Sequence, residues 1–356
     1  MTGPGDLEQR KRDHLRIALG SEVESTAATG LDALRVRARG LPESDLDDLD
    51  LSSQLWGMPI AAPLLLSCMT GGTGQAGSVN RALAVAAQAH GLPVGLGSGR
   101  VLLEDPRRTE GFLVRDAAPG VPILANLGAV QLAEVGVDGC RRLVELCRAD
   151  GLVLHVNAVQ EAIQPHGDTA FAGIADRIAS VAAALEAPVI VKEVGFGLSP
   201  EDVALLVDAG VAGLDVAGAG GTNWATVEGR RDERAGDVAA AFDDWGWPTA
   251  VAVHHARQVL DRHEARGVTL VGSGGLRHGV DALKVLCLGA DLAGVARQVL
   301  AAAAEGPEAA AEAVGTLVRQ LRIAAWAAGA RSVADLDSTR LESAAAAPRD
   351  LPPRAQ

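Results

Sequence analysis

Leu152-Val153-Leu154-His155-Val156-Asn157-Ala158-Val159-Gln160-Glu161 decides the fold. A short apolar run, the length of a buried strand, ends in a cluster of hydrogen-bonding groups. Strand side chains alternate faces, so His155 and Asn157 share one face and Val156 takes the other. Gln160 and Glu161 fall just past the strand end. Burying so much polar capacity beside an apolar core is costly unless something binds there. The cluster offers an imidazole, two amides and a carboxylate, suited to a polar ligand and a hard cation.

Working outward, similar apolar runs recur at 62–68, 92–97, 121–127, 151–157, 188–194, 211–216, 268–272 and 290–296. Between them lie Ala-rich segments of helical period, at 80–90, 139–149, 174–185, 200–209 and 279–288. Alternating strand and helix marks parallel βαβ units. Eight strands predict a closed (β/α)8 TIM barrel over residues 61–335, with an N-terminal extension over 1–60 and a short disordered C-terminal tail over 336–356. The connection 218–267 is too long for a simple crossover and contains Arg230-Arg231-Asp232-Glu233-Arg234. It is predicted to be a mobile, lid-like segment. The end from Ala344 onward is rich in Ala and Pro, a composition that favours disorder.

Composition narrows the function classes. The chain has 356 residues, 48% of them hydrophobic, no Tyr and only 3% aromatics, so the core must be built from Ala, Val and Leu. A net charge of −13 argues against nucleic acid, whose phosphates demand a basic surface. Lysines occur only at Lys11, Lys192 and Lys284, which makes one inside an apolar run conspicuous. The four cysteines, Cys68, Cys140, Cys147 and Cys287, lack metal-type spacing, and Cys68 and Cys287 read as small core residues. There is no apolar signal core and no run long enough for a membrane span, so no membrane partner is expected and the cytoplasm is the default location.

Barrel enzymes place chemistry at the carboxyl ends of their strands, and here those ends are polar. Gly274-Gly275 and Ala296-Arg297 follow the last two strands, where backbone N–H groups and a helix N-terminus commonly take phosphate. A plain two-glycine turn is the alternative. Gly218-Ala219-Gly220-Gly221-Thr222 is a second glycine-rich turn whose Thr222 hydroxyl suits the same anion. Lys192, in Pro188–Val194, faces opposite to Glu193; it is a lumen lysine that is catalytic, a Schiff-base former or an anion's counterion, or else a snorkelling rim residue. Met69-Thr70-Gly71-Gly72 offers an apolar contact and close backbone approach for a flat ring, or an ordinary turn. Glu161 is either a Mg2+ ligand or a helix N-terminal acid. Arg10-Lys11-Arg12-Asp13-His14 is by itself a solvated charge run, whereas Arg100 sits at a strand end beside Ser98 as an anion ligand.

These residues stand in long ordered blocks: RKRDH (10–14), MTGG (69–72), LEDP (103–106), ANLGAVQL (125–132), HVNAVQEAIQPHGD (155–168), PVIVKEVGFGLS (188–199), DVAGAGGTNWA (215–225) and SGGLRHGVDALK (273–284). In them the chain resembles the type 2 isopentenyl-diphosphate isomerases, FMN-dependent (β/α)8 flavoproteins. The resemblance covers the N-terminal arm and the barrel to about residue 300. It implies that Met69, Thr70, Gly71, Ser98, Asn126, Lys192, Thr222, Gly274, Gly275, Ala296 and Arg297 surround FMN. Arg10, Lys11, Ser98, Arg100, His155, Asn157 and Gln160 would hold a small diphosphate substrate, Glu161 would carry Mg2+, and Lys192, Gln160 and His155 would be catalytic. Whether Arg10 and Lys11 serve their own barrel or a neighbouring subunit's stays open. The family implies NADPH as the flavin's reductant and a homo-oligomer, a tetramer or octamer. Gly99 stands where the family carries a larger residue, which predicts a loose pocket wall.

The implied reaction moves a double bond between isopentenyl and dimethylallyl diphosphate without net redox change. Reduced FMN is then expected to act as acid and base, with Lys192 stabilising its anionic form. The rival is an FMN-dependent 2-hydroxy acid oxidase, which needs a His base near arginines that grip a carboxylate. Arg277-His278 is the nearest match, but its spacing is unlike that pattern and Tyr is absent. A non-catalytic binder on a decayed barrel is disfavoured by the full set of polar strand ends.

Overall fold

The computed structural model describes residues 4–20 and 23–344. Its strands are β1 (Leu34–Val36), β2 (Ser53–Leu55), β3 (Met58–Ile60), β4 (Leu64–Leu66), β5 (Val94–Gly95), β6 (Ile123–Gly128), β7 (Gly151–Val156), β8 (Val189–Glu193), β9 (Gly213–Asp215), β10 (Thr269–Ser273), β11 (Leu292–Val295) and β12 (Leu341–Ser343). Strands β4 to β11 close a parallel barrel in chain order, β11 pairing back onto β4. Every apolar run read from the sequence overlaps one of these eight strands, two of the runs stopping one residue short of the strand's end.

The helices are α1 (Pro4–Leu19), α2 (Gly74–His90), α3 (Arg100–Glu104), α4 (Leu132–Cys147), α5 (Ala158–Ile163), α6 (Ile174–Ala184), α7 (Pro200–Asp208), α8 (Trp224–Arg231), α9 (Gly236–Ala240), α10 (Thr249–Arg262), α11 (Gly279–Cys287), α12 (Arg297–Glu305) and α13 (Pro307–Ala327). Their boundaries follow local chemistry. Ser199 caps α7 in a reciprocal box with Asp202, ahead of Pro200 in the first turn. Buried alanines on α2, such as Ala82, Ala86 and Ala87, let it pack closely in a core poor in aromatics. Among the described residues, no helix is long and apolar enough to cross a membrane.

Two apolar layers result. Outward-facing strand residues such as Leu66, Ile123, Leu154 and Val191 join the helices in the main core. Inward-facing Leu65, Leu124, Val153, Ile190, Val271 and Leu292 fill the lumen. The β2–β3 hairpin closes the lower end of that cluster with Leu55 and Ile60, turning through Trp56 (φ 51) and Gly57 (φ 81). Positive φ at both turn residues matches the two-residue hairpin turn that suits strand twist.

The connection 218–267 is not an open lid: it contains α8, α9 and α10, and Val227 on α8 is buried with Ile17 and Val23. Its apolar residues fall at helical spacing, which the charged 230–234 run masked. Residues 336–344, grouped with the tail, carry β12, which pairs antiparallel with β1. The rest of that tail, 345–356, lies outside the described residues.

Leu124 is fully buried in the lumen cluster. Leu124→Ala is expected to lower the unfolding free energy by about 3 kcal/mol in a urea titration. A loss under about 1 kcal/mol would mean that the lumen closes around the gap.

Candidate active site at the barrel mouth

Two residues beyond the apolar lumen layer, the inward positions turn polar: Ser67, Asn126, His155, Lys192, Asp215 and Ser273. Strand register sets Lys192 between His155 on β7 and Asp215 on β9. Above this layer opens a cavity of about 380 Å³, within the usual range for ligand sites. Every site residue singled out from the sequence lines it, including Met69, Thr70, Gly71, Ser98, Arg100 and Thr222. Arg10 and Lys11 reach it from α1 of the same chain.

The floor is a hydrogen-bonded row. His155 Nδ1 lies 3.0 Å from Asn126 Oδ1 and donates to it. Burial, then the positive charges of Lys192, Lys11 and Arg10, push the imidazole down to about 4, so the ring is neutral at pH 7. Lys192 Nζ donates to the Glu193 carbonyl at 2.8 Å and pairs with Asp215 at 3.4 Å. The Glu193 carboxylate points away, accepting the N–H groups of Gly195, Phe196 and Gly197; burial outweighs those bonds and raises it to about 7. Cys68, expected in the core, packs against the lumen cluster and also borders the cavity, its thiol pushed by burial up to about 12.

One end of the cavity is a glycine cradle. A Cβ on Gly274 (φ 109) would stand 2.0 Å from the Gly218 carbonyl oxygen, and one on Gly221 would stand 2.5 Å from the Gly275 nitrogen. Only glycines let the two turns interlock. Ala296 and the start of α12 border the same space. The Arg297 guanidinium is tied to Glu24 and to the Gly20 carbonyl, so backbone N–H groups remain the main donors for an anion there. The cradle, its N–H groups and the buried, unpartnered Ser67 Oγ fit a phosphorylated planar cofactor.

At another part of the wall, Asn157 precedes α5 and its amide donates to Glu161 at 3.0 Å. Gln164 and the Asp168 N–H bind the other Glu161 oxygen at 3.2 and 2.8 Å. The carboxylate is therefore held before any ligand arrives, beside the unpartnered Asn157 Oδ1. Among the described residues no cluster of three or more His, Cys, Asp or Glu could hold a metal. One carboxylate suffices for Mg2+ when substrate phosphate oxygens share the ion. Lys11 donates to the Ser98 carbonyl at 3.0 Å; burial, then Arg10, lower its ammonium to about 8. Burial also lowers Arg10, against the attraction of Glu161 and Glu228. Arg100 pairs with Glu104 and, more loosely, Glu134. The wall at Gly99 is not loose: a Leu143 methyl lies 2.6 Å from where its Cβ would be, filling the space.

Sequence reasoning missed Glu228. It is fully buried on α8 and accepts from Gln160 at 3.0 Å, His14 at 2.8 Å and Arg231 at 2.8 Å. Burial would raise its pKa, but the bond and charge from His14, with the bonds from Gln160 and Arg231, hold it at about 2. The signal was present. His14 stands one helical turn from Arg10 and Lys11, and Glu228 one turn from Trp224, whose ring meets His14 edge-on at 5.4 Å. Glu228→Ala strands three donors around a lost charge, so it is expected to cost about 3 kcal/mol in a urea titration. His14→Ala should cost about 1 kcal/mol; equal losses would mean that the carboxylate is not the hub.

Comparison with known proteins places this geometry. A family model described as FMN-dependent dehydrogenase matches residues 140–343. The isopentenyl-diphosphate delta-isomerase of Xanthobacter autotrophicus is 50% identical over 336 residues, 93% of this chain and 96% of that protein. The enzyme of the same name from Synechococcus sp. is 48% identical over 322 residues, 89% and 91% of the two chains. That from Cronobacter sakazakii is 46% identical over 342 residues, 94% and 97%. Among solved structures, a flavocytochrome b2 mutant with benzoylformate superposes with a TM-score of 0.68 at 18% identity, covering 97% of this chain and 86% of that one. Mandelate oxidase with (S)-2-phenylpropionate gives 0.61 at 21%, covering 95% and 97%. Those two likenesses speak for the fold alone. The near-full-length identities decide the family: this chain belongs to the isopentenyl-diphosphate delta-isomerases, enzymes carried here on an FMN-dependent dehydrogenase type of barrel.

Proposed function

We propose that the chain interconverts isopentenyl and dimethylallyl diphosphate by a 1,3-allylic proton shift, using reduced FMN, Mg2+ and NADPH as the reductant, in a homo-oligomer. One observation carries the reading: a single cavity contains two separate regions suited to anions. The glycine cradle with Thr222, Ala296 and the backbone of Arg297 suits the FMN phosphate. The wall with Arg10, Lys11 and the pre-held Glu161 suits a magnesium diphosphate.

The ring of the flavin would lie among Met69, Thr70, Gly71, Ser98, Asn126 and Lys192, and in its reduced form it would supply acid–base capacity close to the alkene. The chain's own residues do the rest. Arg10, Lys11 and Arg100 grip the diphosphate, and Glu161 would hold a Mg2+ shared with it, which positions a five-carbon tail that has no polar handles. Asn157 and Gln160 orient it, Gln160 fixed in turn by Glu228. Lys192 presents a positive charge where negative charge develops. α1 lies across the mouth and limits water. As an alkene proton is added at one carbon, another leaves two carbons away, so electrons balance without an oxidant.

The 2-hydroxy acid oxidase reading loses its candidate residues. Arg277 is bound to Asp281 and Asp32, and His278 caps α11 by accepting the Asp281 N–H. Both are already engaged by the chain's own groups.

The test is an anaerobic assay with isopentenyl diphosphate, FMN and Mg2+. Dimethylallyl diphosphate should form only once NADPH or dithionite has reduced the flavin. Equal turnover with oxidised flavin, or turnover of lactate or glycolate instead, would overturn the reading.

A second outcome follows from His155. The ring is neutral above about 4 in the free chain, and a diphosphate beside it favours the protonated form. Binding at pH 6 should therefore take up a proton, and affinity should weaken as pH rises. Lys11, at about 8, is already charged at that pH. Calorimetric titrations in buffers of different ionisation enthalpy should show uptake that His155→Gln abolishes; no difference between the two proteins would mean that the ring binds neutral.

A further inference from the structure

We propose that Asp215 is a positioning residue for Lys192, locking its ammonium into the floor of the mouth. The inference rests on the functional reading only for the use made of that ammonium. Asp215 is 1% exposed and the Lys192 side chain 12%. A carboxylate taken so far out of water is tolerated only when paired and hydrogen-bonded. Both conditions are met. Asp215 Oδ1 accepts the Ser273 hydroxyl at 2.5 Å and the Ala217 N–H at 3.3 Å, while Oδ2 faces Lys192 Nζ. Three strand ends are thereby joined: β8 supplies the ammonium, β9 the carboxylate and β10 the hydroxyl.

The groups around Lys192 explain why a counter-charge is needed. His155 on β7 is neutral at pH 7 and offers none. Cys68, after β4, is a protonated thiol. Glu193 on the same strand turns its carboxylate to the 195–197 backbone and gives Lys192 only a carbonyl. Asp215 is the remaining carboxylate in contact with the ammonium among the described residues. Without it, the charge would sit buried and unpaired, and the proton would be held less tightly. A neutral amine would lose the electrostatic role assigned to Lys192 and gain nucleophilicity.

Three lysines in the chain make this directly readable. The full-length protein without added flavin is treated with cyanate at pH 7.5, and modification of each lysine is followed by peptide mass. Only a neutral amine reacts. In Asp215→Asn, Lys192 should be modified at least about ten-fold faster than in the unaltered chain, with Lys11 and Lys284 unchanged as internal references. Asp215→Glu should return Lys192 to within roughly three-fold of the unaltered rate. Unchanged Lys192 reactivity in Asp215→Asn would overturn the proposal. If that variant does not fold, Lys192→Met is compared with Lys192→Met/Asp215→Asn: recovery of melting temperature in the double variant supports the pair, and further loss overturns it. Absence of isomerase activity in the unaltered chain would sink the functional reading and leave these outcomes standing.

Discussion

Parallel pairing around the closed ring of β4 to β11 fixes which side chains face the lumen, and the mouth depends on that register. Side chains alternate along a strand, so a one-residue slip would send Lys192 into the helical layer and bring Glu193 inside. The register is pinned from both sides. Outward residues such as Leu154 and Val191 must meet the helices, and inward Val153 and Ile190 must meet the lumen cluster. The polar row then appears two residues further on, at the carboxyl ends of neighbouring strands. Asn126, His155, Lys192, Asp215 and Ser273 come from five strands yet form pairs within hydrogen-bond or ion-pair reach. With the lower end closed by the β2–β3 hairpin, the upper end is where this row meets the cavity.

The N-terminal arm completes what the barrel begins. Its backbone is stitched to the mouth where Ser25 donates to the Gly221 carbonyl and Asn223 donates to the Val23 carbonyl. Farther along, Ala250 donates to the Thr29 carbonyl, and β1 pairs with β12. Glu228 holds His14 of α1 and Gln160 of α5 on one oxygen, so the element that brings Arg10 and Lys11 is coupled to the element that carries Glu161. The chain is acidic overall, yet this mouth collects Arg10, Lys11, Arg100 and Lys192. A positive recess in a negative body concentrates its field at the opening, which favours small anions over large polyanions.

How much of this was legible depended on whether the signal was local. Strands β4 to β11 were readable because each is a short apolar run bounded by turn residues, and a period of two distinguishes Lys192 from Glu193 without any tertiary knowledge. The glycine turns, the polar strand ends and the cluster from His155 to Glu161 were readable for the same reason, and the resemblance carried by the ordered blocks named FMN and a diphosphate. The charged run at 230–234 misled because charge hides helical spacing: Arg231 is bonded to Glu228 rather than waving in solvent. Gly99 misled because an absent side chain says nothing about which neighbour fills its place, and Leu143 comes from α4.

By itself, the sequence determined the eightfold alternation, the side chains that could line a mouth, and the chemistry they offer, because periodicity and residue type are properties of neighbours along the chain. Tertiary structure alone decided the partners. That Asp215 faces Lys192, that Glu228 joins His14 to Gln160, and that α1 lies against the mouth follow from barrel closure, which brings residues as many as 214 positions apart to within 2.8 Å of one another. Pairing at that range is set by which buried charges and donors would otherwise go unsatisfied, and that condition exists only once the core has excluded water.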